Sequence, residues 1–102
     1  MNRGEVWWLE HPESGRHPVC ILTRQAAIPV LRAVLAVPAT TRMRGIPTEV
    51  WLGPEDGMPR ECALTLDNVA PVPKTLLTER ITRLGPVKLA ELCRALNIAA
   101  GC

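Results

Sequence analysis

The sequence predicts a small, mainly β fold, a partly open antiparallel barrel with one C-terminal helix. Three observations carry this. Short runs rich in Val, Ile, Leu and Trp recur along most of the chain. Pro, Gly, Ser and Asp clusters separate them at intervals of about eight to twelve residues. Only one stretch, after Pro86, repeats its apolar residues at helical spacing.

The elements follow in order. Glu5 to Leu9 reads as a strand, apolar on both faces over Val6 to Leu9, which calls for cover on each side or a partner chain. His11 to Gly15 is a loop. Pro18 to Thr23 is a second strand, with proline at its first position. Gln25 to Pro29 makes a short connection of one helical turn. Val30 to Val37 fits a helix or a strand by periodicity alone, and its valines and terminal Pro38 favour a third strand. Thr48 to Leu52 alternates and reads as a strand paired with the third. Gly53 to Pro59 is turn chemistry. Glu61 to Leu66 is a strand, Val69 to Val72 a short extended piece, and Glu79 to Leu84 a short final strand. Pro86 opens a helix at a position whose missing N–H costs nothing. Its apolar stripe is Val87, Leu89, Leu92, Cys93 and Leu96, with Lys88, Glu91 and Arg94 opposite, and the helix ends between Asn97 and Gly101.

The 102 residues suit a single domain over 1–102. With 47% hydrophobic and 22% charged residues, the composition is globular and not disordered. A net charge of +2 is too small to mark a nucleic-acid binder by itself. The positive charge is instead local, with Arg16, Arg24, Arg42 and Arg44 in or beside loops. Phe and Tyr are absent, so base stacking by those residues is excluded. The four cysteines, Cys20, Cys62, Cys93 and Cys102, form no CxxC pair, which argues against a structural zinc site. Met1 to Gly4 leads straight into a strand pattern and no membrane-length apolar run follows. A cytoplasmic protein with reduced thiols is expected, Cys20 and Cys93 packing as small hydrophobes.

The chemistry concentrates in Val37 to Val50, where a loop between two strands holds Thr40, Thr41, Arg42, Arg44 and Gly45 between Pro38 and Pro47. Hydroxyl donors beside guanidiniums suit phosphate, which Arg grips with paired planar donors. Ser14-Gly15-Arg16-His17-Pro18 offers a second guanidinium and an imidazole just before a strand. Taken singly, each has a plainer reading. The threonines can cap backbone groups, Arg42 and Arg44 can form a solvated loop face, Trp7-Trp8 can be core, and Asp67-Asn68 can be an Asx-type turn.

Together these motifs resemble the MazF/PemK toxin endoribonucleases over about residues 3 to 97. The resemblance rests on Arg3 to Leu9, Gly15 to Leu22, Val37 to Thr41, Gly45 to Val50, Ala63 to Val69 and Arg83 to Pro86. It implies an SH3-like small barrel, a homodimer, and cleavage of single-stranded RNA without metal or cofactor. In such a reaction the RNA 2′-hydroxyl attacks the adjacent phosphate, leaving a 2′,3′-cyclic phosphate and a 5′-hydroxyl. The family's catalytic pair is an Arg just before the proline and the first Thr of Thr-Thr. Thr40 matches the second. At the first, His17 occupies the pre-proline position and Arg16 stands one residue earlier. Either His17 takes over as general acid or base, or Arg16 curls back into the old role. The expected catalytic set is Arg16, His17 and Thr40, and the expected RNA-binding set is His11, Thr41, Arg42, Arg44 and Asn68.

The first loop, Leu9 to Arg16, is several residues shorter than is usual in the family, with His11 near a position that is commonly aromatic there. The resemblance also implies a cognate antitoxin that competes with RNA for the same channel. Two other readings fit the barrel: a gyrase poison similar to CcdB, and a non-catalytic SH3-like binding module.

Overall fold

A computed structural model describes all of Met1–Cys102. Seven strands and one helix follow in chain order: β1 (Glu5–His11), β2 (Gly15–Ile21), β3 (Ala33–Thr40), β4 (Glu49–Leu52), β5 (Cys62–Thr65), β6 (Ala70–Pro73), β7 (Leu77–Arg83) and α1 (Pro86–Ala100). The sheet runs β4-β5-β3-β2-β1-β7, and β6 pairs with β3 off this path. Every pairing is antiparallel. The fold class is the expected one, mainly β with a C-terminal helix and arranged as an SH3-like small barrel. The outermost strands, β4 and β7, do not pair with each other, which leaves it partly open.

Three expectations about elements change, and each change moves the site. First, β1 and β2 run further than their apolar residues suggest, pairing from Val6↔Cys20 out to His11↔Gly15. The turn shrinks to Pro12-Glu13-Ser14 because His11 Nδ1 accepts the backbone N–H of Glu13 at 3.1 Å and of Ser14 at 3.3 Å. Gly15, at φ +84°, lets the chain re-enter the ladder. Arg16 and His17 therefore lie in a strand, not a loop. Second, β4 does not pair with β3. β5 lies between them, matching Ala39↔Leu64 on one side and Val50↔Leu64 on the other. Third, proline does not end the strands. Pro38 pairs with Val19 inside β3, and Pro18 pairs with Trp8 inside β2. Only alternate residues of an antiparallel strand exchange hydrogen bonds with a given neighbour, so proline fits where no N–H is demanded.

β3 is the centre of the fold. It meets β2 over Ala36–Pro38, β6 over Ala33–Ala36, and β5 over Ala39–Thr40. Val37 faces one core cluster with Val6, Cys20, Leu52, Leu64 and Leu92. Val34 and Ala36 face a second with Val19, Ile21, Ile28 and Val72, against which Trp7 and Leu9 pack. Of the apolar run in β1, Val6 is fully buried, whereas Trp7, Trp8 and Leu9 remain half-buried.

Helix α1 starts at Pro86 and ends at Gly101, whose φ of +72° lets its N–H reach the carbonyls of Asn97 and Ile98. Its buried face is Leu89, Leu92, Ala95, Leu96 and Ala99. Val87 and Cys93, expected on that face, are exposed instead. The stripe starts two residues after Val87, at Leu89, and between these two Lys88 docks on β4, donating to the Trp51 carbonyl at 2.7 Å and lying over the Trp51 ring. The buried thiols are Cys20 and Cys62, not Cys20 and Cys93. Burial pushes the Cys20 thiol up to about 12.

Glu5 ties the start of β1 to its surroundings although it is only 3% exposed. Its Oε1 accepts the Asn2 backbone N–H at 2.8 Å and the Trp7 indole N–H at 3.0 Å. Arg80 approaches Oε2 at 3.4 Å. Burial pushes this carboxyl up, but the bonds from Trp7 and Asn2, with the nearby N-terminal charge, outweigh it and hold the group below its ordinary value of 4.5. A carboxyl lowered on folding stabilises above its unfolded value and loses that contribution as pH falls through the folded one. Glu5→Gln is expected to cost about 1–3 kcal/mol at neutral pH. The gap from wild type should narrow in acid, read as urea midpoints at the two pH values.

Candidate active site

One cleft of about 340 Å³ opens where three segments meet. The β1–β2 hairpin supplies Trp8, His17 and Pro18. The end of β3 supplies Ala39 and Thr40, followed by Thr41. The approach to β5 supplies Met58, Pro59, Arg60 and Cys62. No carboxylate lines it. A second cleft of about 190 Å³ lies on the other side of Thr40, formed by Pro38, Arg42, Arg44, Glu49, Thr65 and Asn68 with Thr40 itself. Thr40 is the wall common to both.

The hydroxyl of Thr40 is held in place by its own loop. Its Oγ1 accepts the Arg42 backbone N–H at 3.1 Å. A hydroxyl that accepts there keeps its proton free to donate. Downstream, Glu49 Oε1 accepts the N–H groups of Arg44 and Gly45, each at 2.9 Å, and so closes the loop onto the start of β4. Gly45 sits at φ +65°, a turn that a side chain resists. Thr48 donates to Asp67 Oδ2 at 2.6 Å, so Asp67 braces this loop across the strands and does not form an Asx turn with its own backbone. Thr65 donates to the Pro38 carbonyl at 3.3 Å, and Asn68 reaches Thr65 Oγ1 at 3.5 Å. Arg42, Arg44 and Asn68 thus stand around a fixed frame rather than on a free loop.

The ring of His17 is also oriented. Its Nε2 lies 2.7 Å from the Ser14 carbonyl oxygen. A carbonyl can only accept, so Nε2 carries the proton and Nδ1 of the neutral ring is the nitrogen left to act as a base.

The eight residues expected from the sequence divide into groups. His17, Thr40 and Thr41 share the first cleft. Arg42, Arg44 and Asn68 share the second with Thr40. Arg16 lines neither, although Trp8 and Pro18 on its own face of the hairpin line the first. Arg16 and Pro18 share the face of Trp8, and the Arg16 guanidinium lies 4.3 Å from the Trp8 ring centroid. It then crosses β1 to Glu79 Oε2 on β7, at 2.9 Å. Arg16 touches the cleft only through the indole that lines it. His11 stands outside both clefts at the hairpin end, its ring engaged with the turn.

The sequence reading missed Trp8, Met58 and Arg60 as cleft residues. Trp8 was assigned to core and interface, and residues 53–59 were read for their turn chemistry alone. Adjacent Pro59 and Arg60 stand just before a strand, in the reverse order to Arg16 and Pro18, and nothing local in the sequence places them at the cleft. No group of three or more His, Cys, Asp or Glu side chains is placed to hold a metal ion. No helix is long and apolar enough to cross a membrane.

An open cleft with two hydroxyls, an oriented imidazole and a guanidinium can bind a phosphodiester, move a proton and stabilise negative charge. Comparison with known proteins points the same way. The chain is 46% identical over 101 residues to the probable endoribonuclease MazF5 of Mycobacterium tuberculosis strain H37Rv, covering 98% of this chain and 93% of that protein. It is 38% identical over its full length and the full length of the probable endoribonuclease MazF2 from the same species. A mycobacterial endoribonuclease solved in complex with its cognate antitoxin superposes with a TM-score of 0.90 at 29% identity, covering 99% of this chain and 95% of that one. The model of the PemK-like, MazF-like toxins matches residues 2–100. With nearly every residue of the chain accounted for by that match, the protein belongs to the PemK-like, MazF-like toxins of type II toxin–antitoxin systems.

Proposed function

We propose that this chain is the toxin of a type II toxin–antitoxin pair and cuts single-stranded RNA in the cleft shared by His17, Thr40 and Thr41. The observation that carries this is the convergence of the two sequence motifs, from β2 and from the end of β3, on one opening. The RNA 2′-hydroxyl is the nucleophile. Its oxygen forms a bond to phosphorus, and its proton passes to His17 Nδ1. The bond from phosphorus to the 5′ oxygen breaks, that oxygen takes a proton from a solvent water as it leaves, and His17 returns its own proton to solvent, so the proton count closes. Thr40 donates a hydrogen bond to a non-bridging oxygen as charge builds on it. Thr41 lines the same opening, and Arg42, Arg44 and Asn68 receive the neighbouring stretch of RNA in the second cleft.

The protein acts as a homodimer in the cytoplasm, and a cognate antitoxin occupies the same channel as RNA. Arg42 and Arg44 attract an acidic segment for the reason that they attract phosphate. Antitoxin and RNA are therefore expected to compete, and full-affinity binding of both at once contradicts a shared channel.

The test incubates the purified protein with mixed-sequence RNA in EDTA. Products ending in 2′,3′-cyclic phosphate and 5′-hydroxyl support the assignment. Intact RNA with inhibited gyrase identifies a poison similar to CcdB, and binding without either effect identifies a non-catalytic module.

A further inference from the structure

The proposed reaction builds negative charge on a phosphorane, and a cation beside it stabilises that charge along with neutral donors such as Thr40. The family pattern puts that cation on the residue before Pro18, and this chain has His17 there. Its neighbour Arg16 is committed elsewhere, paired with Glu79 and stacked on Trp8. Arg42 and Arg44 line the second cleft, beyond Thr40. One arginine lines the first cleft together with His17, Thr40 and Thr41, and it comes from the approach to β5. We infer that Arg60 supplies the cation for the scissile phosphate, in place of the family's pre-proline arginine.

This inference rests on the reaction proposed above and adds a group to its site. Three features of the structure support it. The chain's ion pairs are Arg16–Glu79, Arg80–Glu5 and Lys88–Glu91, so no carboxylate holds Arg60. The adjacent carboxylate, Glu61, is turned to the other side, where it accepts the Trp51 indole N–H at 2.8 Å. The backbone of Arg60 is anchored on both sides, since Met58 and Cys62 are 4% and 3% exposed in the first core cluster. A guanidinium tethered between two buried residues and free of internal partners is available to an anionic ligand without a neighbouring charge to displace. Arg60 exchanges no proton in the reaction. Its N–H groups donate to the non-bridging oxygens, and their hold tightens as charge accumulates there.

The experiment measures single-turnover cleavage of an RNA that the wild-type protein cuts, for Arg60→Ala, Arg60→Lys, Arg60→Gln and Arg16→Ala, with thermal unfolding of each as the check on folding. Arg60→Ala is expected to slow the chemical step by about 10²-fold or more. Arg60→Lys should fall between it and wild type, since lysine keeps the charge and loses the paired donors. Added guanidinium, at concentrations that leave the unfolding midpoint in place, should restore part of the Arg60→Ala rate, which no merely structural role allows. Should Arg60→Ala not fold, Arg60→Gln and Arg60→Lys carry the same comparison. Arg60 variants within about threefold of wild type, with the loss confined to Arg16→Ala, overturn this inference and leave the ribonuclease reading standing. A wild-type protein that cuts no RNA overturns both.

Discussion

Thr40→Ala is expected to lower the single-turnover rate constant for RNA cleavage by about 10²- to 10³-fold, the usual effect of removing one donor from a charge-stabilising site. The expectation rests on position and on hydrogen bonding. Thr40 is the wall between the two clefts, so RNA lying through both passes over it. Its oxygen is occupied by the Arg42 N–H, which leaves the hydroxyl proton to the substrate. Thr40→Ser keeps that arrangement and should recover most of the rate. Thr40→Ala gives up one backbone-to-hydroxyl bond at a partly exposed place, a stability cost of about 1 kcal/mol that leaves the protein folded. The loss should therefore appear in the chemical step more than in RNA affinity, a split that burst and single-turnover measurements separate. A Thr40→Ala rate within about threefold of wild type contradicts the role given to this hydroxyl.

Gly57→Ala is expected to destabilise the fold by about 2–4 kcal/mol, because two costs add. The residue sits at φ +89°, where a side chain is strained. A Cβ there would also collide with Thr82 Oγ1, which donates to the Asp56 carbonyl at 2.9 Å and cannot simply rotate away. Gly57 ends the turn at Pro54–Asp56 and aims the chain so that Met58 is buried and Pro59 and Arg60 reach the cleft. Activity of Gly57→Ala should fall even well below its unfolding midpoint, because the same backbone sets the cleft wall. Urea unfolding of Gly57→Ala, Thr82→Ala and the double variant separates the clash with the hydroxyl from the other costs. The hydroxyl clash disappears in the double variant, while the 2.8 Å approach to the Cβ of residue 82 and the backbone strain remain. Equal stability of Gly57→Ala and wild type contradicts the account of this turn.

Much of the fold was legible because strand patterning and turn chemistry are local signals. Val19 to Ile21, Val50 to Leu52 and Ala63 to Leu64 read as strands and are strands. Which strand lies beside which is not local. The chain continues from β3 to β4 through a loop that Glu49 folds onto itself, and β5 then takes the edge of β3. Strand ends were also hidden, since nothing apolar announces that Glu10, His11, Gly15 and Arg16 are paired. That extension decides the fate of Arg16 and His17. On a loop both can turn to one ligand, whereas in the paired strand Arg16 is held across β1 by Trp8 and Glu79 while His17 stays at the cleft. The motif residues Thr40 and Thr41 could be read because hydroxyls beside prolines and arginines are conspicuous. Arg60 could not be read in the same way, as its place in the cleft depends on the left-handed turn at Gly57 and the burial of Met58 and Cys62.

The most direct test of the central claim follows amide and side-chain resonances of the protein as a mixed-sequence, uncleavable 2′-O-methyl oligonucleotide is added. If RNA lies across the two clefts joined by Thr40, the shifts centre on His17, Ala39, Thr40, Thr41 and Arg60 and extend to Arg42 and Asn68. Shifts centred instead on the groove between β4 and α1, at Trp51, Arg94 and Ile98, with Thr40 and His17 unmoved, contradict the claim that RNA is bound and cut at this site.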